Sequence, residues 1–166
     1  MSPVGVAVAL VAAQRLGELA LSWRNTKRLL ARGAVEHGSG HYAPIVVMHA
    51  CWLGALLIVV PRDTQPDWAL AAVYLALQGV RVWAIASLGP YWTTRILTVP
   101  DAPLSRRGPY RYLRHPIYVV VAAEIAVLPL VFGAWPIALI FSLANLLLLS
   151  WRIRVEDRAL APRRAL

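Results

Sequence analysis

The sequence predicts an all-α integral membrane protein of five transmembrane helices, the last two forming a tight hairpin, with the N-terminus outside and the C-terminus cytoplasmic. Three observations predict it. Of 166 residues, 59% are hydrophobic and 15% charged, too apolar a balance for a soluble domain. The apolar residues fall in blocks near the length a helix needs to cross a bilayer. The cations gather in alternate connections between those blocks. The length suits a single membrane-embedded domain over residues 1–166, in a membrane such as the bacterial cytoplasmic one.

The first segment runs from about Pro3 to Trp23. No basic n-region or cleavage site precedes it, so it reads as a retained helix rather than a signal peptide. The second runs from about Ala43 to Val60, and the third from Trp68 to Leu88, opened by Asp67 as a cap after Pro66. Pro116 opens the fourth, which ends near Phe132, because a proline in the first helical turn forfeits no hydrogen bond. Trp135 to Trp151 forms the fifth. Only Gly133 and Ala134 separate the last two, which dictates an antiparallel hairpin. Beyond Trp151, RIRVEDRALA consists of good helix formers until Pro162, so the helix is expected to continue past the membrane.

The net charge of +9 comes from 16 Arg and one Lys. In a soluble protein it would suggest nucleic acid. Here membrane topology accounts for it, and no nucleic-acid partner is expected. Arg24, Lys27, Arg28 and Arg32 lie in the first connection, and Arg95, Arg106, Arg107, Arg111 and Arg114 in the third. The tail carries Arg152, Arg154, Arg158, Arg163 and Arg164, whereas the opposite side carries only Arg62. Cys51 is the single cysteine, so there is neither a disulfide framework nor a cysteine metal site. His37 and His41, four apart in a glycine-rich loop, read as solvated.

Two cations remain inside predicted helices, Arg15 and Arg81. Intramembrane charge is expensive and points to function. At 1.5 Å per residue, Arg15, Glu18, His49, Arg81, Glu124 and Asn145 all lie roughly 9 to 13 Å from the cytoplasmic helix ends. They form a polar layer in which two cations and two carboxylates can neutralise one another. One reading makes them structural pairs, Arg15 with Glu18 and Arg81 with Glu124. The other makes them a buried pocket that gives Arg15, Glu18 and His49 to a lipophilic substrate. The helical stripe Gln14, Glu18, Ser22 and Asn25 supports the second reading. Asn145, Arg152 and Glu156 form a similar stripe on the fifth segment, near Ser142; an amphipathic helix on anionic lipid would show the same pattern.

The stretch RRGPYRYLRHPIY places Arg114 and His115 at a helix N-terminus, near the end of the hairpin that carries Arg152 and Glu156. Such a set suits a zwitterion, its carboxylate on cations and N–H groups and its amine on Glu156. No second His lies at metal-ligand spacing from His115.

GPYRYLRHPIY, followed by an apolar hairpin and then RIRVEDRAL, resembles the isoprenylcysteine carboxyl methyltransferase family. The likeness is greatest to the short bacterial members associated with polyketide lipids, which QRLGELALSWRN also resembles. The resemblance spans most of the chain. It implies a membrane-embedded methyltransferase that uses S-adenosylmethionine, with a cofactor part at about residues 89–166. By position it implies cofactor roles for Tyr112, Arg114, His115, Tyr118, Arg152 and Glu156, and the stripe adds Asn145. The lipophilic substrate is implied to enter from the bilayer. The glycine usual after the family's RHPxY is replaced by Val119 or Val120, and the tail lacks the extension of the eukaryotic enzymes, which leaves the substrate side open.

A carboxylate acceptor needs no base, whereas a phenol or enol must lose a proton. Glu124, with Arg81 beside it, is the expected catalytic pair, which favours O-methylation of a phenolic or pyrone-type lipid over carboxyl methylation of an isoprenylcysteine-like substrate. The linker LGPYWTTRIL either gates the substrate through Trp92 or anchors at the interface through Tyr91 and Trp92. Rival readings are an NADPH-dependent sterol-type reductase, a phospholipid N-methyltransferase, and a small transporter relaying through the Arg/Glu layer.

Overall fold

The structure, a computed structural model, describes residues 2–38, 40, 42–100 and 107–164, with side chains up to residue 161. Helix α1 spans Pro3–Leu30, strand β1 Val35–His37, α2 Tyr42–Val59, α3 Trp68–Leu88, β2 Ile96–Thr98, α4 Pro116–Val131 and α5 Trp135–Arg164. Short 3₁₀ turns cover Gly89–Tyr91 and Gly108–Arg111. His41 and Arg106 lie outside the described residues.

Local chemistry sets most boundaries. Ser2 caps α1 by accepting from the Gly5 N–H at 3.1 Å. Asp67 caps α3 through Ala69 and Leu70, at 2.9 and 3.0 Å. Gly133 takes φ +67° to turn α4 into α5, and the Ala134 N–H closes on the Pro129 carbonyl at 2.9 Å.

The structure refines three expectations. First, α1 continues seven residues past Trp23, because Arg24 and the run Lys27 to Leu30 are sound helix formers and Lys27 and Arg28 suit its C-terminal dipole. Second, four helices are long and apolar enough to cross a membrane, whereas α4 has 16 residues. At 1.5 Å per residue α4 is roughly 24 Å long, short of a hydrocarbon core of about 30 Å. It is an inner helix that buries Val120, Glu124, Ile125, Leu128 and Val131. Third, among the described residues the helices are joined by an antiparallel ribbon in which Val35, Glu36 and His37 pair with Thr98, Leu97 and Ile96. That ribbon joins the first and third connections at one end of the bundle. His37 is half-buried there, and its Nε2 lies 2.8 Å from the Thr98 hydroxyl.

The opposite end is apolar. Val4, Val8, Trp52, Leu56, Ile125, Leu128, Phe132 and Ile137 form the core around the α4–α5 turn. The Asp67 N–H donates to the Val131 carbonyl at 2.8 Å, locking the start of α3 to the end of α4. The buried polar residues lie toward the ribbon end.

Candidate functional site

Two carboxylates and two guanidiniums meet inside the bundle. Arg81 donates to Glu18 through Nε and Nη2, both at 2.6 Å, and to Glu124 through Nη1 at 2.8 Å. Arg15 donates to Glu18 at 3.2 Å and to Glu124 at 2.7 Å. Gln14 completes Glu18 at 3.0 Å, and Gln78 completes Glu124 at 2.9 Å. Each carboxylate bridges both cations, so the cluster is neutral. A buried pair survives only with dense hydrogen bonding; here Arg15 Nε and Gln78 Oε1 are the cluster atoms left buried without a partner. The cluster pins α1, α3 and α4 together.

Beside it lies a cavity of about 340 Å³. Ala12, Leu16, Leu19, Ile45, Val46 and Leu53 form apolar walls, while Arg15, Glu18, His49, Arg81, Asn145 and Arg152 supply polar atoms. Leu16 and Val46 line the cavity and are also exposed on the outside of the bundle, so the cavity opens sideways between α1 and α2. The His49 Nδ1 lies 2.8 Å from the Ile45 carbonyl. A carbonyl can only accept, so Nδ1 carries the proton. Asn145 is 2% exposed, and its Nδ2 has no partner.

A second cleft, of about 130 Å³, lies toward the ribbon. Tyr110, Arg114, His115, Tyr118, Arg152 and Glu156 line it. Tyr118 donates its hydroxyl to Glu156 and accepts from Arg152 Nε at 2.6 Å. The His115 ring stacks on Tyr118 with centroids 5.2 Å apart, and its nitrogens lie 3.7 Å from Glu156 and 3.4 Å from Asp157. The Tyr110 hydroxyl is buried without a partner. Burial, followed by the Glu156 charge, pushes its pKa upward, so it remains a neutral O–H group. Trp92, Thr93, Ile117, Tyr118 and Arg152 line both spaces and form the wall between them.

The residues singled out from the sequence divide between these spaces. Arg114, His115, Tyr118, Arg152 and Glu156 converge on the smaller cleft. Tyr112 does not; it is 77% exposed and borders neither space. Asn145 faces the larger cavity rather than the cofactor candidates. Trp92 is buried in the wall, not anchored at an interface, whereas Tyr91 is exposed. Glu124 is fully buried and absent from the cavity lining, with both oxygens engaged by Arg15, Arg81 and Gln78. Its carboxylate faces Arg15, Arg81 and Gln78.

Some contributors escaped sequence reasoning. Gln78 was legible only as a polar residue one helical turn before Arg81. Ser22 and Asn25 turn out to hold the linker. The Ser22 hydroxyl bonds to Thr94 at 2.8 Å, and Asn25 donates to the Gly89 and Trp92 carbonyls at 3.2 and 2.9 Å. The lower half of the α1 stripe is therefore a rail for the wall that carries Trp92.

The family model described as the isoprenylcysteine carboxyl methyltransferase family matches residues 69–162, which contain the whole of the smaller cleft. An uncharacterized protein of Bacillus subtilis, YpbQ, is 42% identical, covering 92% of this chain and 94% of its own. An uncharacterized protein of Haemophilus influenzae is 26% identical, covering 95% of each chain. No solved structure matches the chain significantly.

Proposed function

Because the chain belongs to the isoprenylcysteine carboxyl methyltransferase family, a family of membrane-integral methyltransferases, we propose that it methylates an oxygen of a lipophilic acceptor, a phenolic or pyrone-type lipid, at the expense of S-adenosylmethionine. One observation carries this reading: a polar cleft and an apolar cavity share a single wall of Trp92, Tyr118 and Arg152. Group transfer between a zwitterionic donor and a lipid needs two such spaces in contact.

The smaller cleft fits the donor's chemistry. Arg114 and Arg152 suit its carboxylate, Glu156 suits its amine, and the unpartnered Tyr110 hydroxyl offers one more polar contact. Its lining runs from Leu88 to Leu160, which supports a cofactor part at about residues 89–166 within one domain. When bound, S-adenosylmethionine supplies an electrophilic methyl group on sulfur. The chain's part is to orient the reactants and to exclude water.

The larger cavity suits the acceptor. Its apolar walls hold a hydrocarbon tail that reaches the bilayer past Leu16 and Val46. Arg15 and Arg81 are already neutralised by Glu18 and Glu124, so neither is a spare cation for a carboxylate, which favours a neutral hydroxyl acceptor. The basic connections and tail favour a cytoplasmic ribbon end and cleft, with the N-terminus outside.

Isothermal titration of the purified protein with S-adenosylhomocysteine and with NADPH tests the reading. Binding of the first and not the second is expected. His115→Ala and Glu156→Ala should weaken that binding while leaving the fold intact. Wild-type affinity in both variants would remove the smaller cleft from the donor site.

A further inference from the structure

We propose that His49 is the group that accepts the acceptor's proton, with Asn145 holding the acceptor's oxygen-bearing ring beside it. The inference rests on the methyltransferase reading above and deepens it.

A hydroxyl acceptor needs a lone pair in the larger cavity. Glu124 does not line that cavity. Glu18 does, but its two oxygens accept four hydrogen bonds, from Gln14, Arg15 and Arg81. Tyr118 is committed to Glu156 and Arg152. His49 differs. Its Nδ1–H is spent on the Ile45 carbonyl at 2.8 Å, which leaves the lone pair on Nε2 with no protein donor among the described contacts. The charged groups lining the same cavity are Arg15, Glu18, Arg81 and Arg152, and the titratable phenols are Tyr42 and Tyr118.

Asn145 supplies the complementary half. Its Nδ2 is a donor without a partner at a site 2% exposed, a costly arrangement unless something fills it. One open acceptor and one open donor match a head group that has a hydroxyl and a second oxygen or an electron-rich ring. The acceptor oxygen gives its proton to Nε2 and receives a methyl group from the sulfonium donor, which keeps the C–S electron pair and leaves as a neutral thioether. The imidazolium returns its proton to solvent after product leaves.

The test uses the full chain in lipid nanodiscs, with 3-pentadecylphenol and its methyl ether as probes. In ¹⁵N-histidine-labelled protein the resonance lost in His49→Gln identifies His49. It should show a protonated Nδ1 and a lone-pair Nε2. The phenol should shift the Nε2 signal and the methyl ether should not; no methyl donor is needed for this. In turnover, His49→Phe should lose about 10²–10⁴-fold in kcat with the phenol, at unchanged S-adenosylhomocysteine affinity. His49→Gln keeps an accepting oxygen, so it should retain phenol binding without turnover. Asn145→Ala should raise KM more than it lowers kcat. An Nε2 signal indifferent to the phenol, or a His49→Phe variant turning over at the wild-type rate, overturns the proposal. Failure of the parent reading looks different: the wild type would bind no S-adenosylhomocysteine and methylate no lipid.

Discussion

Glu124 joins three helices through one side chain. It takes a guanidinium from α1, another from α3 and an amide from Gln78, while contributing no surface to the cavity. Glu124→Gln would leave two arginines sharing one carboxylate in an apolar interior. Breaking a buried pair costs about 3–5 kcal/mol, so a clear drop in thermal unfolding temperature is expected. Adding Arg15→Gln removes the surplus charge and should restore part of the loss, as neighbours in one network do not add. An unperturbed melting curve for the single variant would put Glu124 outside the scaffold and return it to consideration as a base. Tyr118 makes a second residue-scale case. Its hydroxyl is the link between Arg152 and Glu156. Tyr118→Phe unlinks two charged groups at the wall, and hydrogen bonds to charged groups contribute about 1.5–3 kcal/mol. S-adenosylhomocysteine affinity should fall roughly 10- to 100-fold, measured by titration.

At the scale of elements, the site depends on how irregular segments dock on helices. Gly108 adopts φ +55°, and a Cβ there would lie 2.0 Å from the Ser87 hydroxyl and 3.2 Å from Trp83 Nε1. The turn that leads to Arg114 and His115 therefore lies flat on α3 only because residue 108 has no side chain. Gly108→Ala should lift that turn, weakening its docking by roughly 1–3 kcal/mol. Loss of S-adenosylhomocysteine binding with the helices still folded, by circular dichroism, is the expected readout; unchanged binding would detach the turn from the cleft. This dependence shows what a sequence can and cannot disclose. Asp67, Pro116 and Gly133 act on their own neighbours, so their roles were legible in order. The contact of Gly108 with Ser87 was not legible, since nothing local sets it. The β1–β2 ribbon, three residues a strand, has no periodicity to detect and exists because two connections meet at one end. Similarly, the α1 stripe announced a polar partner; that the partner is the backbone of the linker emerges only in three dimensions.

Across the whole molecule, charge balance foreshadowed a neutral polar layer, but not its division into a closed ion cluster and an open cavity. That division depends on which atoms of Arg15, Glu18, Arg81 and Glu124 face one another, over separations of up to 109 residues. Orientation in the bilayer is a further whole-molecule property, set by the membrane rather than by packing. Arg32, beyond α1, lies in the connection that the ribbon ties to the third connection, whereas Asp63 lies between α2 and α3 at the apolar end. Both are exposed. If basic residues hold the ribbon end in the cytoplasm, single cysteines at these positions will report opposite sides. Cys51 is exposed and must first be changed to alanine to remove background labelling. In intact cells a membrane-impermeant maleimide should then modify Asp63→Cys and spare Arg32→Cys until the cells are opened. The reverse pattern would place the smaller cleft outside, away from any cytoplasmic supply of methyl donor, and the positive charge would need another explanation. Equal labelling of both would mean that the two connections share a side, which an antiparallel α2 crossing the bilayer forbids.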